Sequence, residues 1–302
     1  DPEKKKALYK QIDQVSLEAS NYAVANEYDK MTSSLGAEGT NAWTWFEETV
    51  YINMIPANEA SKWLTLESER FSELVLRLFH TELEAVFEEF NRGQDNDWRK
   101  SSAAMLDGLF PNHPYGQQNT IGTAEHLKNP SMVAIHNYFD KYYVPNNMAI
   151  VMVGDLDFEK TIKNVNDTFG KFERKEVTHP TLPIEEPITS PIVKEVYGPT
   201  AENISIAFRS EGVNTKEHKL VALADMILAN GNAGLIDLNL NQKQLLQNAS
   251  CSPMFLNDYG YHNFTGSPKE GQTLDEVKDL LLGQIEKLKN GEFEDWMIEA
   301  VV

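Results

Sequence analysis

The sequence has one cysteine, few basic residues and no long apolar run. Because Cys251 is the only cysteine, the chain can form neither an intrachain disulfide nor a cysteine-based metal knot. The chain has 27 lysines and arginines and 46 acidic residues, and the resulting net charge of −19 argues against nucleic acid as a partner. No segment reaches the apolar length of a membrane span. The hydrophobic content of 41% over 302 residues predicts a globular protein with room for two domains.

Several familiar catalytic motifs are also absent. There is no phosphate-binding loop, no nucleophile elbow and no H-E-x-x-H. The seven histidines are scattered, and none has a second His or a Cys at zinc-site spacing. Glu125-His126 resembles half of an H-x-x-E-H motif, but Gly122 stands where the first histidine is needed. His113, in a loop with two prolines, is expected to hydrogen-bond within that loop rather than to bind a metal.

Apolar spacing and turn-forming residues predict helices mixed with short strands. Helices are expected at 2–35, 58–70, 71–91, 100–109, 131–143, 158–170, 216–229 and 273–290, with a helix or loop at 234–248. Strands are expected at 40–45, 49–55, 148–153, 192–197, 203–209 and 253–265. This order lacks a strict βαβ rhythm, so we predict an α+β fold of two similar units, each an antiparallel sheet covered by helices.

A proline-rich stretch at 177–191 predicts an extended linker between domains. We therefore expect a first domain at 1–180, a linker at 181–191 and a second domain at 192–302. The chain has no initiator Met, and it stops inside a segment that is typical of a helix. Both ends are thus expected to be cut from a longer protein, with the first domain truncated at its start and the second at its end.

The predicted helix 71–91 carries the main candidate residues. Its apolar residues recur at spacings of three and four, which is typical of a helix facing a core. Glu82 and Glu89 are seven residues apart and should lie half-buried on one edge of that stripe, whereas Glu88 should point to water. Half-buried acids are costly unless a metal ion or a basic partner compensates their charge. The alternative is a pair of boundary glutamates that reach solvent.

The predicted strand Thr40–Trp45 is a second candidate. If it lies at the edge of a sheet, its free N–H and C=O groups could pair with an extended peptide. If it lies inside a sheet, it is an ordinary structural strand. The sequence pattern alone leaves both interpretations open.

Four segments, taken together and in order, resemble the M16 metallopeptidases, the inverzincin family of pitrilysin, insulin-degrading enzyme and the mitochondrial processing peptidase. One segment is a strand pair similar to the family's G-x-x-x-N-A-(aromatic)-T…T-x-Y, and another fits its E-x₆-E helix. The other two are close to its H-P-Y-G…I-G and Y-Y-x-P-N-N-x…V-G-D sequences. In this chain they lie at Gly36–Tyr51, Glu82–Glu89, His113–Gly122 and Tyr142–Asp155.

The resemblance implies a fold, a cofactor and site residues. The fold would be the LuxS/processing-peptidase-like metallohydrolase fold. Glu89 would be a zinc ligand, and Glu82 would be an acid behind it that orients or tunes the site. Asn41, Ala42 and Thr44 would lie on the strand along which a peptide substrate is added.

The sequence departs from the family at the motif that is most important for catalysis. The H-x-x-E-H motif, which in the family supplies two zinc ligands and the glutamate that activates water, does not occur in this sequence. The resemblance places it before residue 1. A catalytic zinc needs three protein ligands, so we expect this chain alone to bind no zinc and to cleave nothing. The parent would be a zinc metalloendopeptidase that hydrolyses extended peptides with zinc-activated water.

Two alternatives remain open. The parent could be a non-catalytic family member, a binding or assembly subunit, or the chain could be an unrelated α+β binding domain with surface acids. The family scheme further implies a second M16-like half, in the same chain or as a partner subunit. The resemblance to bacterial members suggests the periplasm, with the cytoplasm as the alternative.

Overall fold

The chain folds as two compact units. The computed structural model describes residues 1–76 and 78–299; Arg77 of the predicted helix 71–91 and the last residues of the predicted second domain, 300–302, lie outside the described residues. Unit 1 comprises Asp1–Gly93 and Asn119–Thr181, and unit 2 comprises Gln94–Gln118 and Leu182–Val302. Residues 94–118 therefore group with unit 2, although the sequence-based division places them in the first domain. The domain division stays a prediction for the whole protein.

The secondary structure confirms the α+β class, with small antiparallel sheets among many helices. The helices are α1 Pro2–Ser20, α2 Glu27–Ser34, α3 Ala60–Ser72, α4 Phe79–Gln94, α5 Asp97–Leu109, α6 Pro114–Gln117, α7 Ala124–Lys128, α8 Met132–Tyr142, α9 Phe158–Phe169, α10 Lys216–Leu228, α11 Leu274–Lys289 and α12 Asp295–Glu299. The strands are β1 Glu38–Thr44, β2 Thr49–Met54, β3 Ile204–Glu211, β4 Asn248–Phe255 and β5 Tyr259–Ser267. Among the helices of the described residues, none has the length and apolar character needed to cross a membrane.

Unit 1 contains a two-stranded sheet in which β1 pairs antiparallel with β2. The strands are joined by a tight turn, in which the Trp45 N–H donates to the Glu48 carbonyl at 2.8 Å. The pairing is irregular between Glu38 and Asn41, next to Gly39, whose φ is +59°. All seven residues of β1 are exposed. These strands coincide closely with the two predicted at 40–45 and 49–55.

Unit 2 contains a three-stranded antiparallel sheet in the order β3-β5-β4. The central strand β5 alternates buried and half-buried residues along its length, as expected for a strand with one face on a core. Helices α10 and α11 pack against this sheet. The apolar core between them consists of Ile227, Leu228, Leu235, Ile236, Leu240, Leu246, Ala249, Phe264, Val277, Leu281 and Met297.

Three predicted elements are broken or shifted in the structure. The helix expected at 2–35 is interrupted after Ser20, where α1 ends, and resumes at Glu27, where α2 begins. Asn26 in this break has a left-handed φ of 56°. The glutamate helix begins at Phe79 rather than Phe71, because α3 continues to Ser72 and Glu73 is extended. The strand expected at 253–265 is instead the β4–β5 hairpin, whose turn lies at 256–258. Asn257 and Asp258 are turn formers, and the prediction overlooked this signal.

Two predicted strands, 148–153 and 192–197, are not strands among the described residues. A strand needs a hydrogen-bonded neighbour, and the described chain pairs neither segment with one. The proline-rich stretch 181–191 contains no helix or strand. Glu185 within it is buried in unit 2.

Candidate functional site

Helix α4 carries both candidate glutamates. Glu82 and Glu89 lie seven residues apart, which is about two turns or ~10.5 Å along the helix axis. Both side chains are exposed, so the expectation that they are half-buried is wrong. The half-buried stripe of α4 consists of Phe79, Leu83, Phe87 and Phe90. The predicted stripe includes Val86, whereas the half-buried stripe in the structure includes Phe87 and leaves Val86 exposed. This rotation of the buried face places Glu82 and Glu89 on the side of the helix that faces water.

The start of α4 borders an apolar groove of about 410 Å³ within unit 1. One wall is a face of α1 that includes Ile12 and Val15, and the other includes Phe79, His80 and Thr81. The residues immediately before Glu82 therefore face α1. None of the side chains of α4 is fully buried, so the contact between α4 and α1 is not close-packed.

Strand β1 carries the three residues expected to contact a peptide. Asn41, Ala42 and Thr44 face Ile52, Tyr51 and Thr49 of β2 in the antiparallel register. Among the described residues β1 has a partner strand on one side only. Its other edge carries backbone N–H and C=O groups that an extended chain can pair with. The structure places this strand and both glutamates within unit 1.

A buried carboxylate supports the β1–β2 hairpin from α3. Glu67 is 3% exposed and accepts hydrogen bonds from the Tyr28 hydroxyl at 2.6 Å and from Arg70 Nε at 3.0 Å. Asn53 of β2 donates to the same Tyr28 hydroxyl at 2.9 Å, and Thr40 of β1 donates to Asn53 at 2.8 Å. A continuous hydrogen-bond network therefore joins α3 to both strands.

The charges and rings of this network are closely packed. The Arg70 guanidinium lies 4.3 Å from the centre of the Tyr28 ring and 4.8 Å from that of Tyr51. Burial, together with the hydrogen bond to Glu67, raises the pKa of Tyr28 to about 12. Sequence reasoning missed this network because its members lie far apart in the chain. The only local signal is the three-residue spacing of Glu67 and Arg70 on one helix.

The Y-Y-x-P-N-N segment contributes a second support for β2. The hydroxyl groups of Tyr51 and Tyr143 are 2.7 Å apart, and the Tyr143 ring stacks on Phe71 of α3. Burial and the hydrogen bond with Tyr51 raise the pKa of Tyr143 above its ordinary value. The segment resembling the family therefore acts here as a structural support for the sheet.

The H-P-Y-G segment lies in unit 2 at the start of α6, and His113 is the N-cap residue of this helix. His113 is 1% exposed, and its Nδ1 accepts from the Tyr115 backbone N–H at 3.3 Å, which caps α6. Glu185 accepts from the backbone N–H groups of Asn112 at 2.7 Å and His113 at 2.6 Å. The prediction that His113 is a hydrogen-bonding loop residue is confirmed.

The donor residues around Glu89 do not fit a zinc ion by themselves. In the part of the chain that the structure describes, the one group of three His, Cys, Asp or Glu side chains close enough to hold a metal is Asp225, Cys251 and His262, in unit 2. Glu89 belongs to no such group there, and neither does the Glu125-His126 pair on α7. Because catalytic zinc needs three protein ligands, no catalytic step through zinc is assigned to these residues.

Comparison with known proteins gives relatives that are proteases. The zinc protease PqqE of Helicobacter pylori is 24% identical over 95% of this chain and 66% of its own length. The crystal structure of a protease from Helicobacter pylori matches with a TM-score of 0.76 at 22% identity, over 92% of this chain and 68% of that one. The first half of the periplasmic protease PqqL from Escherichia coli matches with a TM-score of 0.69 at 16% identity, over 90% of this chain and 61% of that one. The chain therefore spans only part of each relative.

A family model described as the peptidase M16 inactive domain matches residues 133–302, more than half of the chain. The matched region contains neither β1 nor α4, so it does not test the five candidate site residues. The model match, the relatives and the structural neighbours agree on one family and on its α+β fold. This chain belongs to the peptidase M16 family.

Proposed function

We propose that this chain is the peptide-binding part of a zinc-dependent metalloendopeptidase that hydrolyses extended peptides, and that it is inactive alone. The observation that carries the proposal is the open edge of β1, whose seven residues are all exposed. The unpaired backbone groups of an exposed edge strand can pair with another chain and so favour aggregation, unless the edge serves to bind a partner. An extended substrate peptide is such a partner.

The support beneath β1 agrees with this role. A strand that is already held rigidly loses little conformational entropy of its own when a peptide binds to it. The buried Glu67, through Tyr28 and Asn53, connects α3 to Thr40 of β1. Backbone pairing supplies affinity for many sequences, and the side chains of Asn41, Ala42 and Thr44 would flank the bound peptide.

In the whole enzyme, Glu89 is proposed as a zinc ligand and Glu82 as the acid that orients the site. Their exposure on α4 leaves both carboxylates accessible to further ligands. The remaining ligands and the general base would come from an H-x-x-E-H motif outside these 302 residues. The names of the relatives, which are zinc proteases, support zinc as the metal.

The names of the relatives support proposals for the partners and the compartment. The Escherichia coli structure is described as the first half of a protease, which supports a second M16-like half for this protein, in the same chain or as a partner subunit. That protease is described as periplasmic, and we propose the periplasm for this protein as well. The net charge of −19 argues against nucleic acid as a partner.

A non-catalytic role is the second candidate. The family model that matches residues 133–302 is described as an inactive domain, and within the described residues Glu89 has no second and third ligand. A binding or assembly subunit would keep the open β1 edge without hydrolysis. Both candidates use β1, and they differ in zinc content and cleavage by the full-length protein.

Hydrogen–deuterium exchange on the 302-residue chain tests the peptide-binding role. A disordered casein, added in excess, should slow exchange in the β1 segment 38–44 because new cross-strand hydrogen bonds protect its amides. Exchange in the β4–β5 hairpin of unit 2 serves as the internal control and should not change. Unchanged exchange in β1 at saturating casein would contradict the proposal.

A further inference from the structure

Three side chains with metal-binding atoms converge in unit 2, far along the chain from the glutamate helix. Asp225 lies on α10, Cys251 on β4 and His262 on β5. Cys251 pairs with Phe264 across the two strands, and His262 precedes Phe264 by two residues. Cys251 and His262 therefore project from the same face of the sheet. Helix α10 packs against this sheet and brings Asp225 to the other two.

The three side chains are in direct contact. Asp225 Oδ1 lies 2.8 Å from His262 Nε2 and accepts a hydrogen bond from the Cys251 thiol at 3.2 Å. One donor atom from each residue lies within 4.8 Å of the other two. The side chains of His262 and Asp225 are only 10% and 18% exposed, and Cys251 is half-buried. A polar cluster of this kind inside a core must serve either packing specificity or a ligand.

The arrangement does not resemble a cysteine nucleophile with its base. Such a nucleophile needs a histidine within hydrogen-bond reach to take its proton, whereas the Cys251 thiol donates to Asp225. Burial, followed by the negative charge of Asp225, also raises the pKa of the thiol well above its usual range. A thiol in this environment stays protonated and unreactive unless a cation replaces the proton.

We propose that Asp225, Cys251 and His262 bind a zinc ion that is separate from any ion at Glu89. The expectation that the chain alone binds no zinc would then hold only for the incomplete site at Glu89. Thiolate, imidazole and carboxylate are the ligands that zinc takes, at bond lengths of about 2.0–2.3 Å. A tetrahedral ion at these bond lengths holds its ligand atoms about 3.3–3.7 Å apart. The distances of 2.8 Å and 3.2 Å to Asp225 therefore need to open by only about half an ångström.

Charge and ligand type narrow the choice of metal. A thiolate and a carboxylate neutralise a divalent cation, so the loaded site carries no net charge in its half-buried position. Magnesium and calcium prefer oxygen ligands, whereas the thiolate favours zinc. A water molecule would complete the tetrahedral coordination as the fourth ligand. The bound ion would join α10 to β4 and β5 and so stabilise unit 2.

Cobalt substitution of the 302-residue chain tests this site directly. The chain is stripped of metal, kept reduced with a phosphine that is not a thiol, and titrated with Co²⁺. Because Cys251 is the only cysteine, any thiolate-to-cobalt charge-transfer band must come from this residue. We expect the band to saturate at one equivalent, to be displaced by Zn²⁺, and to be accompanied by a zinc-dependent rise in Tm.

Two variants complete the test. Cys251→Ser keeps a hydroxyl donor for Asp225 but should lose the band and the equivalent of metal, whereas Glu89→Gln should keep both. The second variant separates this site from the proposed catalytic zinc, so failure of one proposal leaves the other standing. If Cys251→Ser does not fold by circular dichroism, the titration of the unaltered chain decides alone. Absence of the band at excess Co²⁺, or zinc binding that Cys251→Ser leaves unchanged, would overturn the proposal.

Discussion

Replacing Glu67 by Gln perturbs the support of the β1–β2 hairpin without changing its shape. Glu67 is buried and accepts hydrogen bonds from Tyr28 and from Arg70. Hydrogen bonds to a charged acceptor contribute about 1.5–3 kcal/mol each, against about 0.5–1.5 kcal/mol for neutral ones. The two partners use different oxygens of Glu67, and a glutamine keeps one oxygen acceptor and puts an NH2 donor in place of the other. One bond therefore becomes neutral and the other is lost, which costs about 2–4 kcal/mol in the free energy of unfolding.

The exposure of Arg70 sets the lower bound of this cost. Its side chain is 26% exposed, so water screens part of the ion pair, and the guanidinium keeps its contacts with the rings of Tyr28 and Tyr51. We therefore expect Glu67→Gln to lower the free energy of unfolding by about 1–3 kcal/mol. The exposed Glu69 on the same helix offers a matched control, and Glu69→Gln should change it by less than about 0.5 kcal/mol.

Urea denaturation of both variants measures the cost, and hydrogen–deuterium exchange locates it. Exchange in residues 38–54 should accelerate in Glu67→Gln, because Tyr28 and Asn53 pass the perturbation to both strands. Exchange in the unit 2 hairpin should stay as in the unaltered chain. Equal midpoints and equal exchange for the Glu67 and Glu69 variants would refute the reasoning that a buried carboxylate holds this hairpin.

Two further predictions concern packing and pH. Gly266→Ala should destabilise the chain by about 1–3 kcal/mol in urea denaturation, because the new Cβ would lie 2.6 Å from Val277 Cγ1. Gly283→Ala, in open space within α11, should stabilise it by about 0.5–1 kcal/mol, and the opposite order would contradict the packing described for α11. The pKa of Tyr28 is raised to about 12, so its contribution to stability is full below pH 10 and is lost as pH rises towards 12, because the unfolded chain releases its phenol proton first. Tyr28→Phe should reduce the decrease in the free energy of unfolding between pH 10 and pH 12, measured by denaturation at each pH. An unchanged dependence on pH would contradict the raised pKa of the Tyr28 hydroxyl.

The sequence predicts best those elements that have a clear local signal. The pair β1–β2 and the helix α11, with its Thr273–Glu276 capping box, follow from alternation, spacing and caps. The segments 148–153 and 192–197 failed because a strand depends on a partner that local pattern does not reveal. The helix α4 was placed correctly around its glutamates but begun eight residues too early, across the extended Glu73.

The candidate site divides in the same way. Placing Asn41, Ala42 and Thr44 on a strand, and Glu82 and Glu89 on one helix, needed only periodicity, and the structure agrees. Their roles came from resemblance and stay predictions. The Glu67 network and the Asp225–Cys251–His262 cluster could not be predicted from the sequence, because their members come from different elements of the chain. The half-burial of the glutamates was wrong because the apolar stripe follows Phe87 rather than Val86.

The most direct test of the proposed function is the zinc content and peptidase activity of the full-length protein, beside the same protein with Glu89→Gln. Glu88→Gln, one residue away and also exposed, is the matched control. We predict that the unaltered protein and the Glu88 variant cleave casein, and that Glu89→Gln loses one equivalent of zinc together with cleavage. Full zinc and full activity in Glu89→Gln would contradict the assignment of Glu89, and an inert unaltered protein lacking that zinc would instead identify a binding subunit.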